Sequence, residues 1–442
     1  MFKMNKINTV IIGGGISGLS TGHFLKKKGI DFVIIESNKK TGGVINSVKK
    51  NGFIYENGPN TILNNNPSIN QIIEDHKLSD KIIVPNKKIS SNRYVFHNGK
   101  PQAVPNGIMN FLKTPLLSLK SKIKIFREIF KPPHKKNTSV LNFISNRFGK
   151  EFHDNLIQPF LTGVYAGDTS KMSTKHALKK IWLLEQNYGS VLKGLFKSKR
   201  KRIESINFSN GIDTLTNIIS KSLKKNLITE TRVTKIQKNK NGYKIETNTD
   251  NSFVCQNIIS SIPAYELEKI LFNDDIKATL EKIKYNPVGV FHFTFLRSDI
   301  KNDLSGFGIL TKPSDNKSYL GIIFSSKIFP HICPNEYEVY TVMIGGEKQK
   351  NILEKNKNDL KKLLLDEIRI LIDCDGKLQE SNFYLWKKGI PQYNLFQEEI
   401  EKSIKEFHSK NKGFHITGNY HSGVSVSDCI KKADDLVSNN FD

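Results

Sequence analysis

Thr9-Val-Ile-Ile-Gly-Gly-Gly-Ile-Ser-Gly18, with Phe32-Val-Ile-Ile-Glu36 downstream, decides the fold of this chain. A β-rich apolar run enters a glycine turn, a helix-like stretch follows, and a second apolar run ends on a carboxylate. That order of strand, glycine turn, helix, strand and acidic residue is the context in which a G-x-G-x-x-G motif signals a dinucleotide site. Glu36 stands 18 residues after Gly18, where a carboxylate accepts hydrogen bonds from a ribose diol, so a ribose without a 2′-phosphate is expected. Gly42-Gly43 follows almost at once and narrows the choice of dinucleotide.

The three motif glycines have different tasks. Gly13 permits the tight turn, Gly15 lets the backbone approach a pyrophosphate, and Gly18 lets the helix pack closely on the strand. The spacing predicts a helix over about 17–28, whose N-terminal amides and positive dipole end face the phosphates.

The 442 residues suffice for two or three domains with substantial cores. No window approaches 18 uninterrupted apolar residues, so no transmembrane helix is expected. The first strand starts within ten residues of Met1, which argues against a signal peptide. Cys255, Cys333, Cys374 and Cys429 are scattered and form no C-x-x-C, reading as buried, reduced thiols of a cytoplasmic protein without a metal cluster. The net charge of +26 comes mostly from lysine spread along the whole chain, with no nucleic-acid-binding motif beside it. No nucleic-acid partner is therefore expected, whereas lysines beside apolar residues suit an anionic membrane surface.

Along the chain the rhythm changes twice. A hairpin is predicted at 94–101, and a helical pattern from about 105 to 202 contains apolar spacing at 121–130, 140–147 and 174–195. Beyond it come strands at 231–237, 243–247 and 253–260, with Asn241-Gly242 as a hairpin turn. Further strands are predicted at 288–296, 306–310, 319–324, 338–344 and 414–417, with helices over 358–372 and 425–437. The expected fold class is α/β: a Rossmann-like dinucleotide-binding domain, which the resemblance given below makes FAD-binding, a mixed-sheet substrate domain and an inserted helical domain, which the same resemblance makes membrane-associating. The expected boundaries are 1–85, 205–270 and 411–442 for the cofactor domain, 86–204 for the insertion and 271–410 for the substrate domain.

Gly13 to Gly18, Glu36-Ser37, Gly42-Gly43 and Glu56-Asn-Gly-Pro59 resemble the FAD-binding segment of the flavin amine oxidase superfamily. Gln158-Pro-Phe-Leu-Thr-Gly-Val-Tyr-Ala-Gly-Asp168 is more specific and resembles the protoporphyrinogen oxidase family. So do Gly306-Phe-Gly308, Gly389-Ile-Pro-Gln-Tyr393 and the stretch from Gly418 to Cys429. The resemblance implies FAD as cofactor and a six-electron oxidation of a porphyrinogen to a porphyrin, with hydride passing to the flavin. It also implies oxygen, or another acceptor, as the electron sink, with hydrogen peroxide formed in the first case. The flavin would carry the chemistry, so no catalytic side chain and no metal ligand is expected.

On this resemblance the cofactor contacts fall on Gly13, Gly14, Gly15, Ile16, Ser17, Gly18, Glu36, Ser37, Gly42, Gly43 and Val44. Gly58, Pro59, Asn60 and Thr61 would lie near the flavin, Val233 near the adenine, and Asn419, Val424, Ser425 and Val426 would close the site. Val424-Ser-Val426 would open a helix facing the electron-rich end of the reduced ring. Arg93 matches the family's propionate-binding arginine, a task suited to a guanidinium that can grip a carboxylate bidentately. Phe307, Gly308 and Leu310 match the apolar clamp on the macrocycle, and Met343 would line the same pocket.

Residues 111–136 mix ten large apolar side chains with seven lysines and Arg127, a pattern suited to lying at an anionic interface. Family members use this region for peripheral membrane attachment, and the resemblance leaves room for a homodimer. Two departures stand out. Lys40-Thr41 replaces the usual Arg-Leu, and Val44 replaces an aromatic or basic residue; both bear on affinity more than on activity. Asp168 could cap a turn, and His421 sits inside the flavin-contacting segment. Coproporphyrinogen oxidation on the same fold stays open as a rival function. Carotenoid desaturation, amine oxidation and a non-catalytic flavoprotein are more distant ones.

Overall fold

Ten residues of alternating and then continuous apolar character, Lys3–Ile12 (β1), form the spine of the molecule. The computed structural model describes residues 3–198, 204–421 and 423–441, with residues 3 and 4 as backbone only. β1 pairs in parallel with Phe32–Ile35 (β2) on one side and with Asn251–Ser260 on the other. Leu227–Ile228 extends the sheet beyond β2, and Phe414–Ile416 joins the end of Asn251–Ser260, both in parallel. The antiparallel hairpin Val233–Asn239 and Gly242–Thr247 completes seven strands. Parallel strands need both faces covered, and the side chains divide accordingly. Ile11, Ile34 and Ile259 face a core shared with helices Ile16–Lys27 (α1), Asp213–Ser222 and Val426–Asn440. Val10, Ile12, Val33 and Ile258 face the opposite core.

A second seven-stranded sheet stands beside the first. Its order runs Glu380–Pro391, Tyr285–Leu296, Tyr337–Gly345, Gly321–Ile323, Gly308–Leu310, Tyr94–His97 and Lys100–Ala103. Phe291, Phe293 and Phe295 project from one face into a core with Leu360, Leu364 and Ile368 of helix Lys357–Ile372. Strand Glu380–Pro391 and helices Asp213–Ser222 and Gln397–Lys410 have no counterpart in the sequence reading. The hairpin at 94–103 belongs to this sheet, because Tyr94 pairs with Ile309.

Between residues 108 and 197 the chain is mainly helical, as its spacing predicts. The pattern at 174–195 is split into Thr174–Ala177, Lys179–Tyr188 and Val191–Lys197, where Gly189 takes a positive φ of 72° and ends a helix. Arg147 is fully buried between two buried carboxylates, bonding Glu128 at 2.5 Å and Glu185 through Nε. Glu128 also accepts from Ser190 Oγ at 2.6 Å and Val191 N at 3.0 Å, so one ionic knot ties four segments together. Of the basic run Lys197 to Arg202, residues 199–202 lie outside the described part. Among the described residues no helix is long and apolar enough to cross a membrane.

Candidate cofactor and substrate site

At the carboxyl end of β1 the chain turns through Gly13, whose φ of 104° suits glycine. A Cβ on Gly18 would meet Gly13 O at 2.0 Å and Ser261 Oγ at 2.7 Å, so α1 can approach the strand only with glycine there. Gly15 has the opposite surroundings: the nearest heavy atom to a Cβ there would be Gly43 Cα at 3.9 Å. Its backbone borders a cavity of about 660 Å³. Gly15 is also the N-cap of α1, where no side chain caps the helix and no acidic residue occupies the first turn. The first amides of α1 are thus left for a ligand's acceptors, with the positive end of the helix dipole behind them.

Glu36 closes β2 with both oxygens held. Oε2 accepts from Gly14 N at 2.7 Å, while Oε1 accepts from Asn38 N and Asn38 Nδ2, each at 2.8 Å. Gly14 therefore acts by fixing the carboxylate and does not line the cavity itself. The cavity is bordered by Gly13, Gly15, Ile16, Ser17, Glu36, Ser37, Gly42, Gly43 and Val44, and across it by Pro59, Val233, Asn419, Val424 and Val426. Gly18, Gly58, Asn60, Thr61 and Ser425 are not on its wall. Ser425 is spent as an N-cap: its Oγ accepts from Asp428 N at 3.1 Å and donates to Asp428 Oδ2 at 2.6 Å. The start of the last helix thus carries its own carboxylate, which offsets part of the dipole expected to face the ring. Lys40 is likewise engaged, bonding Asp213 Oδ2 at 3.1 Å, away from any phosphate role.

Sequence reasoning missed one wall of the cavity. Ser261 Oγ donates to Ile12 O and Gly13 O, both at 3.0 Å, and so pins the glycine turn. Lys388 Nζ sits 4.1 Å from the centre of the Tyr265 ring. Trp386 donates from Nε1 to Asn57 O at 2.6 Å and lies against Tyr384. These residues are far apart in sequence and carry no local motif. The Gly389 to Tyr393 stretch was the available signal, since it adjoins Trp386 and Lys388.

Behind the cavity, Glu56 is buried and accepts from Ser47 Oγ at 2.6 Å and Ile212 N at 2.9 Å. Burial pushes its carboxyl up to about 7. Buried His292 approaches Glu56 O at 3.2 Å through Nε2, and burial pulls its imidazole down to about 3. A neutral His292 donates to that carbonyl and ties strand Tyr285–Leu296 to the short strand Phe53–Glu56. Asp168 accepts from Ser170 N at 3.0 Å and Ser170 Oγ at 2.8 Å, a turn-capping role.

The expected substrate residues lie on the second sheet and do not border the 660 Å³ cavity. Leu310, Gly321 and Met343 are direct partners on three neighbouring strands, and Val290 and Tyr384 continue the row. Direct partners share a face, here the one opposite the Phe291–Phe295 core. Leu310 packs on Gly163 of helix Gln158–Tyr165, where a Cβ would come within 2.5 Å of Leu310 Cδ2. At Gly308 a Cβ would strike Ile322 O at 2.2 Å, so this strand must approach its neighbour bare. Arg93, just before strand Tyr94–His97, holds its guanidinium 5.0 Å from the centre of the Phe307 ring. The protein around it lowers its pKa by desolvation. Phe307 N donates to Asn92 O at 2.7 Å, which joins the two segments.

The family of flavin containing amine oxidoreductases matches residues 16–435. Protoporphyrinogen oxidase 2 of Arabidopsis thaliana is 27% identical over 97% of this chain and 93% of its own length. Coproporphyrinogen III oxidase of Bacillus subtilis is 25% identical over 98% of this chain and 97% of its own. Among solved structures, a protein from Exiguobacterium assigned as a protoporphyrinogen oxidase superposes with a TM-score of 0.85 at 18% identity, covering 98% of each chain. Reduced UDP-galactopyranose mutase superposes with a TM-score of 0.75 at 14% identity, covering 99% of this chain and 96% of its own. These last two establish the fold.

Proposed function

The chain belongs to the flavin containing amine oxidoreductase family, and from that premise we propose that it oxidises protoporphyrinogen IX to protoporphyrin IX. It is an FAD-dependent oxidoreductase, and the cavity fits the cofactor. The bare Gly15 edge, the uncapped start of α1 and the fixed Glu36 carboxylate suit a pyrophosphate and a ribose diol. Bound there, FAD supplies the hydride acceptor for the reaction. The protein's own share is binding and orientation. The α1 amides would hold the phosphates, Glu36 would accept from the ribose hydroxyls, and Ser261 keeps the glycine turn in shape.

The observation that carries the substrate assignment is the Arg93 guanidinium against the Phe307 ring; Arg93 stands two residues before Val95, the direct partner of Leu310 in the row Leu310, Gly321 and Met343. A guanidinium with a partly desolvated charge suits a propionate, and the apolar row suits a flat macrocycle. Full-length likeness to Arabidopsis protoporphyrinogen oxidase supports the same reading. Oxygen is the proposed acceptor, giving hydrogen peroxide. We assign the cytoplasm as the compartment and the helical region as a membrane contact. Leu119, Ile123, Phe126 and Phe130 are exposed in that region, with Phe130 81% and Leu119 72% accessible, while Leu116, Leu117 and Ile125 are buried. Exposed apolar side chains beside lysines suit an interface.

Anaerobic mixing with protoporphyrinogen should bleach the flavin and raise porphyrin fluorescence. Faster bleaching with coproporphyrinogen would transfer the assignment to the reaction named for the Bacillus subtilis relative. No bleaching with either would remove it. Flotation with anionic liposomes tests the membrane contact, and protein left at the bottom of the gradient would refute it.

A further inference from the structure

Tyr393 follows strand Glu380–Pro391 and is buried, with 2% of its surface exposed. Its hydroxyl makes two hydrogen bonds at once, donating to Asn419 O and accepting from Gly423 N, each at 2.8 Å. Among the described residues no backbone hydrogen bond joins Asn419 to Gly423. One oxygen atom therefore takes the place of a turn bond and ties together both ends of the segment between strand Phe414–Ile416 and the last helix. A second side chain holds the neighbouring carbonyl. Buried Gln397, the first residue of helix Gln397–Lys410, donates from Nε2 to Tyr420 O at 3.0 Å.

The segment so held is one wall of the cofactor cavity. Asn419, Tyr420 and Val424 border the 660 Å³ space, whereas Tyr393 and Gln397 do not. Gly418 and Gly423 take positive φ values of 132° and 135°. Glycine at both ends leaves this backbone many conformations, so its shape depends on what grips it from outside. The grip is itself anchored. Tyr393 O accepts from Ser173 N at 2.8 Å, and Gln392 Nε2 donates to Tyr165 O at 2.8 Å. Tyr165 ends the helix that packs through Gly163 on Leu310, so one short segment serves as reference for the cofactor wall and for the second sheet.

We propose that the Tyr393 hydroxyl is a positioning group for the cofactor, latching residues 418–424 against the bound flavin nucleotide, with Gln397 as the second point of the same latch. The inference rests on FAD occupying the 660 Å³ cavity. Tyr393 acts through Asn419 and Gly423. Without the hydroxyl, the wall opens more often by the worth of the two lost bonds, and FAD leaves faster by the same factor.

The test is the rate of FAD release from diluted holoenzyme, read as the rise in free-flavin fluorescence. Tyr393→Phe should release FAD roughly tenfold faster than wild type, and should alter the visible circular dichroism of the bound flavin. Tyr243→Phe is the control, since Tyr243 is equally buried and its hydroxyl donates to Lys412 O at 2.8 Å, away from the cavity. Y243F should lose stability to urea yet release FAD at the wild-type rate. Gln397→Met removes the donor to Tyr420 O and should quicken release roughly threefold; it carries the test if Y393F fails to fold. Release from Y393F within about twofold of wild type, equal acceleration in Y243F, or, where Y393F does not fold, wild-type release from Q397M would overturn the proposal. Gly18→Ala disturbs the glycine turn instead. Fast release from G18A beside slow release from Y393F overturns the latch alone, whereas wild-type release from both overturns the cavity's assignment to FAD as well.

Discussion

Replacing Glu56 by glutamine should stabilise the holoenzyme at pH 8 and leave it unchanged near pH 4. The carboxyl is buried with no cation beside it, and its two oxygens accept from Ile212 N and Ser47 Oγ. A glutamine can take the Ile212 N–H on its oxygen and donate its amide to Ser47 Oγ, as the protonated carboxyl does, so the charge is lost and the Ser47 hydroxyl gives up its carboxylate acceptor. Burial raises the group from 4.5 to about 7. Between those values the native state holds a proton that the unfolded chain releases, so stability falls as pH rises through that window and is fully present only below it. A rise from 4.5 to about 7 corresponds to about 3 kcal/mol as an upper bound. Urea unfolding of wild type and E56Q across pH 4 to 8 measures the difference directly. The curves should coincide at the acid end and separate by about 2–3 kcal/mol at pH 8. A difference independent of pH would show that Glu56 is not a buried titrating charge.

Other perturbations test the site and its supports. Arg93→Ala should leave flavin content intact and raise KM for the porphyrinogen by roughly 10- to 100-fold, the worth of a charged hydrogen bond; an unchanged KM would refute its propionate role. Gly18→Ala places a Cβ 2.0 Å from Gly13 O, an overlap worth about 1–3 kcal/mol, so the purified protein should retain roughly tenfold less flavin by absorbance. Arg147→Met strands two buried carboxylates and should cost about 3–5 kcal/mol in chemical denaturation. Adding Glu128→Gln and Glu185→Gln removes both charges while keeping an acceptor for Ser190 Oγ, Val191 N and His134, and it should recover part of that loss; no recovery would argue against a charge effect.

The opening βαβ unit was legible because every part of it is local. Turn, helix start and acidic strand end occupy consecutive positions whose backbone demands only certain residues satisfy, and Gly13, Gly15, Gly18 and Glu36 stand where the motif sets them. The short strands after residue 230 were legible for a similar reason, since period-two apolar runs bounded by turns are themselves local patterns. Strand Glu380–Pro391 escaped because it pairs along only one side, with Tyr285–Leu296, and its mixed sequence alternates poorly. Helix Gln397–Lys410 is strongly charged and rests only Ile400, Ile404 and Phe407 on the core.

The sequence by itself determined that this chain binds a dinucleotide, and its longer motifs pointed to FAD and a porphyrinogen. Those properties follow from residue types at fixed short spacings. Only the tertiary structure decided which side chains do something else. Ser425 caps a helix, Lys40 pairs with Asp213, and Gly14 serves by holding Glu36. It also brought in Ser261, Tyr265, Trp386 and Lys388, and set Arg93 against Phe307 across more than 200 residues of chain. Contacts of that kind depend on how sheets pair and pack, and no local spacing encodes them.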